Sequence, residues 1–345
     1  MKYILANTLK YTLFFGLAIG LTYWALKDIE FADIVDTWNN ANKLPIFLSG
    51  VAVMMSHFLR ALRWKLMMKP LGCHFSTLNS YLSILVGYGI NIVVPRGGEL
   101  ARCINLNKLE GTPVKISVGT VISERLVDLI FLLMMIGIAF LLQFNSLLVT
   151  IVEYTSKNEG PEKAASLGTI ILLIVVPVIG LIILYLFLKS KNKRILRIRI
   201  KLKNLFLGIY QGLKSIFKLE QYVLFLVYSV LIWGLYYMMA YFVIFAFAET
   251  RELGFEGALM VLVLGSIAMA MPTPGGTGAY HNFVPFGLET LYKIPSAAGK
   301  AFATIFHAWQ TIVHLVIGIL SIIISQILIK RNAKHLSLIH ISEPT

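Results

Sequence analysis

The chain has 345 residues, of which 57% are hydrophobic and 14% charged, with a formal net charge of +14. Globular domains usually carry ~25% charged residues, so this composition argues against a soluble globular protein. In a membrane chain the excess of Lys and Arg marks cytoplasmic loops, and no nucleic-acid partner is expected. The cysteines Cys73 and Cys103 form neither a metal spacing nor a disulfide framework, so no metal and no cofactor is expected.

No Asp, Glu, Lys or Arg occurs over 164–188, 221–248 or 301–329. Each run exceeds the ~20 apolar residues that carry a helix across a ~30 Å hydrocarbon layer. The runs are continuous rather than alternating, so helices rather than barrel strands are expected.

Eight apolar segments can be read, at about 9–26, 44–62, 76–94, 119–142, 167–188, 220–247, 256–272 and 298–329. The first lacks a small-x-small cleavage site before Lys27, so an uncleaved helix is expected. Its following loop, with Asp28, Glu30, Asp33 and Asp36, is net acidic and reads as outside. Arg60, Arg63, Lys65 and Lys69 place the second connection inside. The segment 189–218 holds ten cations and no acid, which puts it inside as well, and Lys330, Arg331 and Lys334 do the same for the C-terminal end. The alternating run KRILRIRIKLK within it reads equally as a topology determinant or as a surface lying on anionic lipid.

A parity conflict follows, because three segments separate two loops on the same side, and the conflict recurs in the second half. The third segment ends in Val94-Pro95-Arg96-Gly97-Gly98-Glu99, the seventh in Pro272-Thr273-Pro274-Gly275-Gly276-Thr277-Gly278. Pro breaks a helix and Gly permits left-handed backbone. The expectation is an all-α polytopic membrane protein with about six full crossings. Two re-entrant helical hairpins, over 76–117 and 256–296, supply the remaining segments and have these motifs at their tips. The halves, about 1–150 and 160–330, then form an inverted repeat, a plan that places transport sites at paired broken helices. The domain is expected to cover 1–334. The tail 336–345, LSLIHISEPT, resembles a translated sequencing-library adapter and is set aside.

Charges at membrane depth default to a functional reading. Arg96, Glu99 and Arg102 surround the first tip; Glu124, Arg125 and Asp128 open the fourth segment. Glu124 and Asp128, four apart, share a helix face. The set reads either as a salt-bridge network holding the hairpin or as arginines that meet a phosphate, which the guanidinium fork suits. At the second tip, Pro274, Gly275, Gly276, Thr277, Gly278, Tyr280, His281 and Asn282 read either as an anion-binding nest or as a tight turn with satisfied polar groups. His307, Gln310 and His314 share a face and are expected, like His57, to make interhelical hydrogen bonds. No phosphate loop of the nucleotide-hydrolase type, zinc-protease motif or nucleophile elbow occurs in the sequence, and no enzyme is expected.

Asn91, Pro95, Gly98-Glu99-x-x-Arg102, Glu124-Arg125-x-x-Asp128 and Pro274-Gly275-Gly276-x-Gly278 together resemble the flippase-like family named for the membrane region of lysylphosphatidylglycerol synthase. The resemblance spans about 8–330. It implies movement of a lipid, best known as an aminoacylated phosphatidylglycerol, across a bacterial cytoplasmic membrane, with both termini inside. The implied partners are membrane lipids, anionic or aminoacylated phospholipids among them, and a lipid-modifying enzyme. The aminoacyl-transferase domain of the synthase is not in this sequence. Many members carry Glu where this chain has His281, which sets it apart from lysyl-lipid transport in particular. The alternatives are a non-transporting scaffold for such an enzyme, or the membrane portion of a synthase-like protein.

Overall fold

The computed structural model describes residues 16, 19–24, 27, 31–144, 148–149, 185–186, 189–190, 192, 195–200, 219–271 and 273–342, with side chains as far as residue 332. The chain divides into two compact units, one formed by 1–139 with 218–345, the other by 140–217. Most of the first and fifth apolar segments, of the loop at 143–166 and of the run at 189–218 lies outside the described residues.

Every regular element among the described residues is helical: α1 (Phe31–Asn40), α2 (Lys43–Met68), α3 (Thr77–Val93), α4 (Gly98–Glu110), α5 (Val114–Leu142), α6 (Tyr222–Ile244), α7 (Gly254–Ala270), α8 (Ala279–Tyr292) and α9 (Ser296–Ser342). The chain is an all-α polytopic membrane protein. Among the described residues, five stretches are long and apolar enough to cross a membrane: Lys43–Leu71, Val114–Leu142, Tyr222–Ile244, Arg251–Ala270 and Ser296–Asn332.

Local chemistry sets the helix ends. The Asn42 side chain accepts from the Leu44 N–H, and Ser76 accepts from Asn79 N–H; both are ordinary N-caps. Pro95 forces Val94 into an extended conformation and ends α3. Gly111, left-handed at φ 70, closes α4.

Contacts along α9 show how the two hairpins lie. Gly299 meets Pro285 of α8, and His307 bonds to the Gly275 carbonyl at the second tip, 2.9 Å away. Further on, His314 faces Tyr88 of α3, Gly318 packs against Gly89, and Ser325 accepts from Asn105 of α4. The second hairpin therefore lies along the beginning of α9 and the first along its later part, tip towards tip. The tips touch: Arg96 Nη2 donates to the Ala270 carbonyl at 2.8 Å, and Gly275 lies against Ile92. Arg251–Ala270, although long enough to cross, ends at this meeting point. At 1.5 Å per residue, α3, α4 and α8 rise ~20–26 Å, short of a full crossing.

The long helices frame the pair. α2 runs from the base of the second hairpin, where the Asn42 N–H bonds the Ala246 carbonyl, to the base of the first, where Lys65 bonds Thr77. α6 runs antiparallel to it, and α5 meets α6 through Phe131 stacked on Trp233. The order α2, hairpin, α5 is repeated with inverted direction as α6, hairpin, α9. The apolar core is correspondingly split. One cluster, with Phe247, Leu262, Val284 and Phe302, surrounds the second hairpin. The other, with Trp64, Met68, Ile84 and Leu106, surrounds the first. Polar side chains occupy the level between them.

Candidate functional site

The first hairpin closes through its own small residues. Gly98 N–H donates to Asn91 Oδ1 at 2.8 Å, and Gly98 abuts the Gly87 carbonyl so tightly that no side chain fits. Arg96 sits at the turn with φ 60. The first turns of α4 then aim Glu99 and Arg102 at α5.

Glu124, fully buried, is the hub. Its Oε1 accepts from Arg60 Nε at 3.1 Å and Nη2 at 3.0 Å, from Arg63 Nη2 at 2.9 Å and from Arg125 Nη2 at 3.0 Å; its Oε2 accepts from Arg102 Nη2 at 2.8 Å. Asp128 pairs with Arg63 at 2.8 Å and Arg125 at 2.7 Å. Glu99 pairs with Arg102 at 2.9 Å and, more loosely, with Arg125 at 3.6 Å. Aromatic faces cover the guanidinium groups: Trp64 lies 4.8 Å from Arg102, Tyr88 5.3 Å from Arg60, and Phe225 5.7 Å from Arg63. Such faces attract cations more strongly where water is excluded. Arg63 also donates to Ser229 and Arg60 to the Tyr88 hydroxyl.

Four guanidinium groups against three carboxylates leave the network with one positive charge. The network has an inner and an outer edge. Arg60, Arg63, Arg102 and Glu124 are buried, whereas the side chains of Arg125, Glu99 and Asp128 are 40%, 35% and 17% exposed. All three carboxylates face arginines, so the charge in excess is cationic.

The structure brings together Glu99, Arg102, Glu124, Arg125 and Asp128 of the residues singled out in sequence. Arg96 stands apart, exposed, and clamps the two tips; Gly97 and Gly98 form the turn beside it. Arg60 and Arg63, read from sequence as loop charges, are a correction: they lie inside α2 and supply half of the arginines. Their signal was the three-residue spacing within a helical segment that already carries Ser56, His57 and Trp64. A positive-inside reading absorbed them into the flanking Lys65 and Lys69.

The second tip is a tight turn whose backbone bonds largely to itself, with the buried Thr273 hydroxyl left without a partner. Gly275, Gly276 and Gly278 are left-handed, at φ 58, 77 and 81. The N–H groups of Gly276 and Thr277 bond the carbonyls of Thr273 and Pro274, and the Gly278 N–H donates to His281 Nδ1 at 3.3 Å. Three N–H groups that an anion nest requires are thus engaged within the turn. His281 caps α8, Tyr280 stacks on His307, and Asn282 bonds the Gly278 carbonyl. His57 and His314 join α2 to α9 through an Nε2–Nε2 contact of 3.0 Å. The interhelical bonds expected of His57, His314 and Gln310 are present, Gln310 donating to Ser49 of α2 at 3.4 Å, whereas His307 bonds to the turn at the second tip.

No solved structure matches the chain. A UPF0104 membrane protein of Methanocaldococcus jannaschii is 32% identical over 111 residues, 30% of this chain and 33% of that protein, so the chain matches about a third of the relative's length. The family model described as the lysylphosphatidylglycerol synthase TM region matches residues 10–318. Asn91, Gly98, Arg102, Glu124 and Asp128, the residues that build the first hairpin and its ion network, all fall within that match, and the chain belongs to the lysylphosphatidylglycerol synthase TM region family.

Proposed function

We propose that the chain moves a phosphate-bearing lipid across a bacterial cytoplasmic membrane, passing the headgroup beside the hairpin tips while the acyl chains stay in the bilayer. The observation that carries this reading is the buried ion network with one arginine in excess, which begins at Glu99, directly after the tip of the first broken helix. Broken backbone at membrane depth is tolerated where it lines a path through protein. An anionic headgroup neutralises the surplus charge. Arg125 is the arginine to exchange, because it reaches the network's edge and its contact with Glu99 is the longest. Arg96 is the second accessible cation. Arg102, Arg60 and Arg63 stay buried and hold Glu124, which positions Arg125. The tight second tip forms the opposing wall.

The basic end of the bundle, with Lys65, Lys69, Lys108, Lys115, Lys330 and Arg331, is the cytoplasmic one by loop charge, which puts both termini inside. The substrate class is an anionic phospholipid. An aminoacylated one meets no carboxylate at His281.

Reconstitution into vesicles with headgroup-labelled phosphatidylglycerol, under an ion gradient, tests the reading. The wild-type chain accelerates exchange between leaflets over empty vesicles, and Arg125→Gln loses at least ~10-fold, the scale of one charge-assisted hydrogen bond. No acceleration with any phospholipid assigns the chain instead to scaffolding a lipid-modifying enzyme.

A further inference from the structure

A second polar feature lies away from the ion network. At the basic end of the bundle, between the last turns of α2, the loop before α3 and the start of α6, is a cavity of about 400 Å³. Its volume falls within the ~300–1,000 Å³ of ligand cavities. Leu62, Leu66 and Phe75 give it an apolar floor; Lys65, Lys69 and His74 line its rim. Leu62, Lys65, Leu66 and Lys69 follow i, i+3, i+4, i+7 spacing and so share one face of α2 and its terminal turn. Arg60 and Arg63 point into the network from another face, so the two sites are distinct.

From these observations we infer that this cavity holds a glycerophospholipid of net negative charge from the adjoining leaflet. The arrangement is amphipathic in the sense of the lipid: cations where α2 leaves the apolar layer, hydrocarbon beneath them. Lys65 already donates to the Thr77 hydroxyl at 3.2 Å and keeps donors for a phosphate. Lys69 has an exposed partner in Glu220 at 3.7 Å, a pairing weak enough for an anion to displace. A zwitterionic lipid brings its own cation to the same two lysines and gains less. Binding here does not depend on whether the chain translocates lipid.

Cys73 lines the cavity at 8% exposure and serves as a slowly reacting reporter; Cys103, at 0%, is replaced by Ser. The full chain is placed in nanodiscs of phosphatidylcholine alone, or of a two-to-one mixture with phosphatidylglycerol, and the alkylation rate of Cys73 by N-ethylmaleimide is measured. Native mass spectrometry counts the retained lipids in parallel. Phosphatidylglycerol slows alkylation and is retained in preference, and the double variant Lys65→Gln/Lys69→Gln loses both effects, with retention falling about 30-fold for two lysines. Equal rates and equal retention for the two lipids overturn the proposal, as does protection that survives in the double variant. Protection by inorganic phosphate in phosphatidylcholine discs assigns the cavity to free phosphate and overturns the lipid as its occupant. If the variant does not fold, the wild-type comparison of the two lipids decides alone.

Discussion

Glu124 accepts hydrogen bonds from arginines on three helices: Arg60 and Arg63 of α2, Arg102 of α4 and Arg125 on its own α5. Removing its charge leaves four guanidinium groups with two carboxylates, one of them 35% exposed. Breaking a buried ion pair on one side costs about 3–5 kcal/mol, because the remaining charge stays buried without compensation. Glu124→Gln is therefore expected to lower stability by that amount, read as the denaturation midpoint in detergent. A change below ~1 kcal/mol refutes the hub. The carboxylate side of this network was legible in sequence, because Glu124 and Asp128 interrupt an otherwise apolar helix and share a face. Its arginine side was half hidden. Arg60 and Arg63 stand next to lysines that do mark a membrane boundary, and composition alone does not say where along α2 the hydrocarbon ends.

At the scale of elements, two glycine contacts fix the first hairpin. α3 and α4 close on each other at Gly87 and Gly98, and α3 meets α9 at Gly89 and Gly318, where an added Cβ on Gly318 lies 2.6 Å from the Gly89 Cα. Small residues allow such backbone approach between membrane helices. Gly98→Ala places a methyl against the Gly87 carbonyl and 2.7 Å from the Asn91 side chain that caps α4. Gly137 of α5, with nothing within 4 Å of an added Cβ, is the matched control. Gly98→Ala is expected to open the hairpin, so that limited proteolysis cuts between α3 and α4. Gly137→Ala is expected to be neutral or up to ~1 kcal/mol stabilising. Equal resistance of both variants sinks the packing account. The breaks at Pro95 and Pro274 were readable because proline and glycine act locally. The glycine pairing was not, since Gly89 and Gly318 are 229 positions apart in sequence and meet only in the folded bundle.

The whole unit carries an asymmetry that individual helices lack. Its two hairpins enter from opposite ends, which the contacts along α9 establish without reference to a membrane. The loop-charge parity that demanded two non-crossing segments has a counterpart in the same two places: helices of 13 to 17 residues that turn back at the level of His307 to His314. Lys108, late in α4, and Lys293, just after α8, then belong to opposite ends of the bundle. With Cys73 and Cys103 replaced by Ser, single cysteines at 108 and 293 are expected to react with a membrane-impermeant maleimide from opposite faces of oriented vesicles, position 108 from the cytoplasmic one. Reaction of both from one face removes the opposed arrangement, and with it the reason to place a lipid path at the tips. Reaction from opposite faces with 293 on the cytoplasmic side keeps the arrangement and reverses only the orientation inferred from Lys65, Lys69, Lys108 and Lys330. The two failures are separable because the hairpin geometry rests on contacts within the chain, whereas its direction rests on loop charge alone.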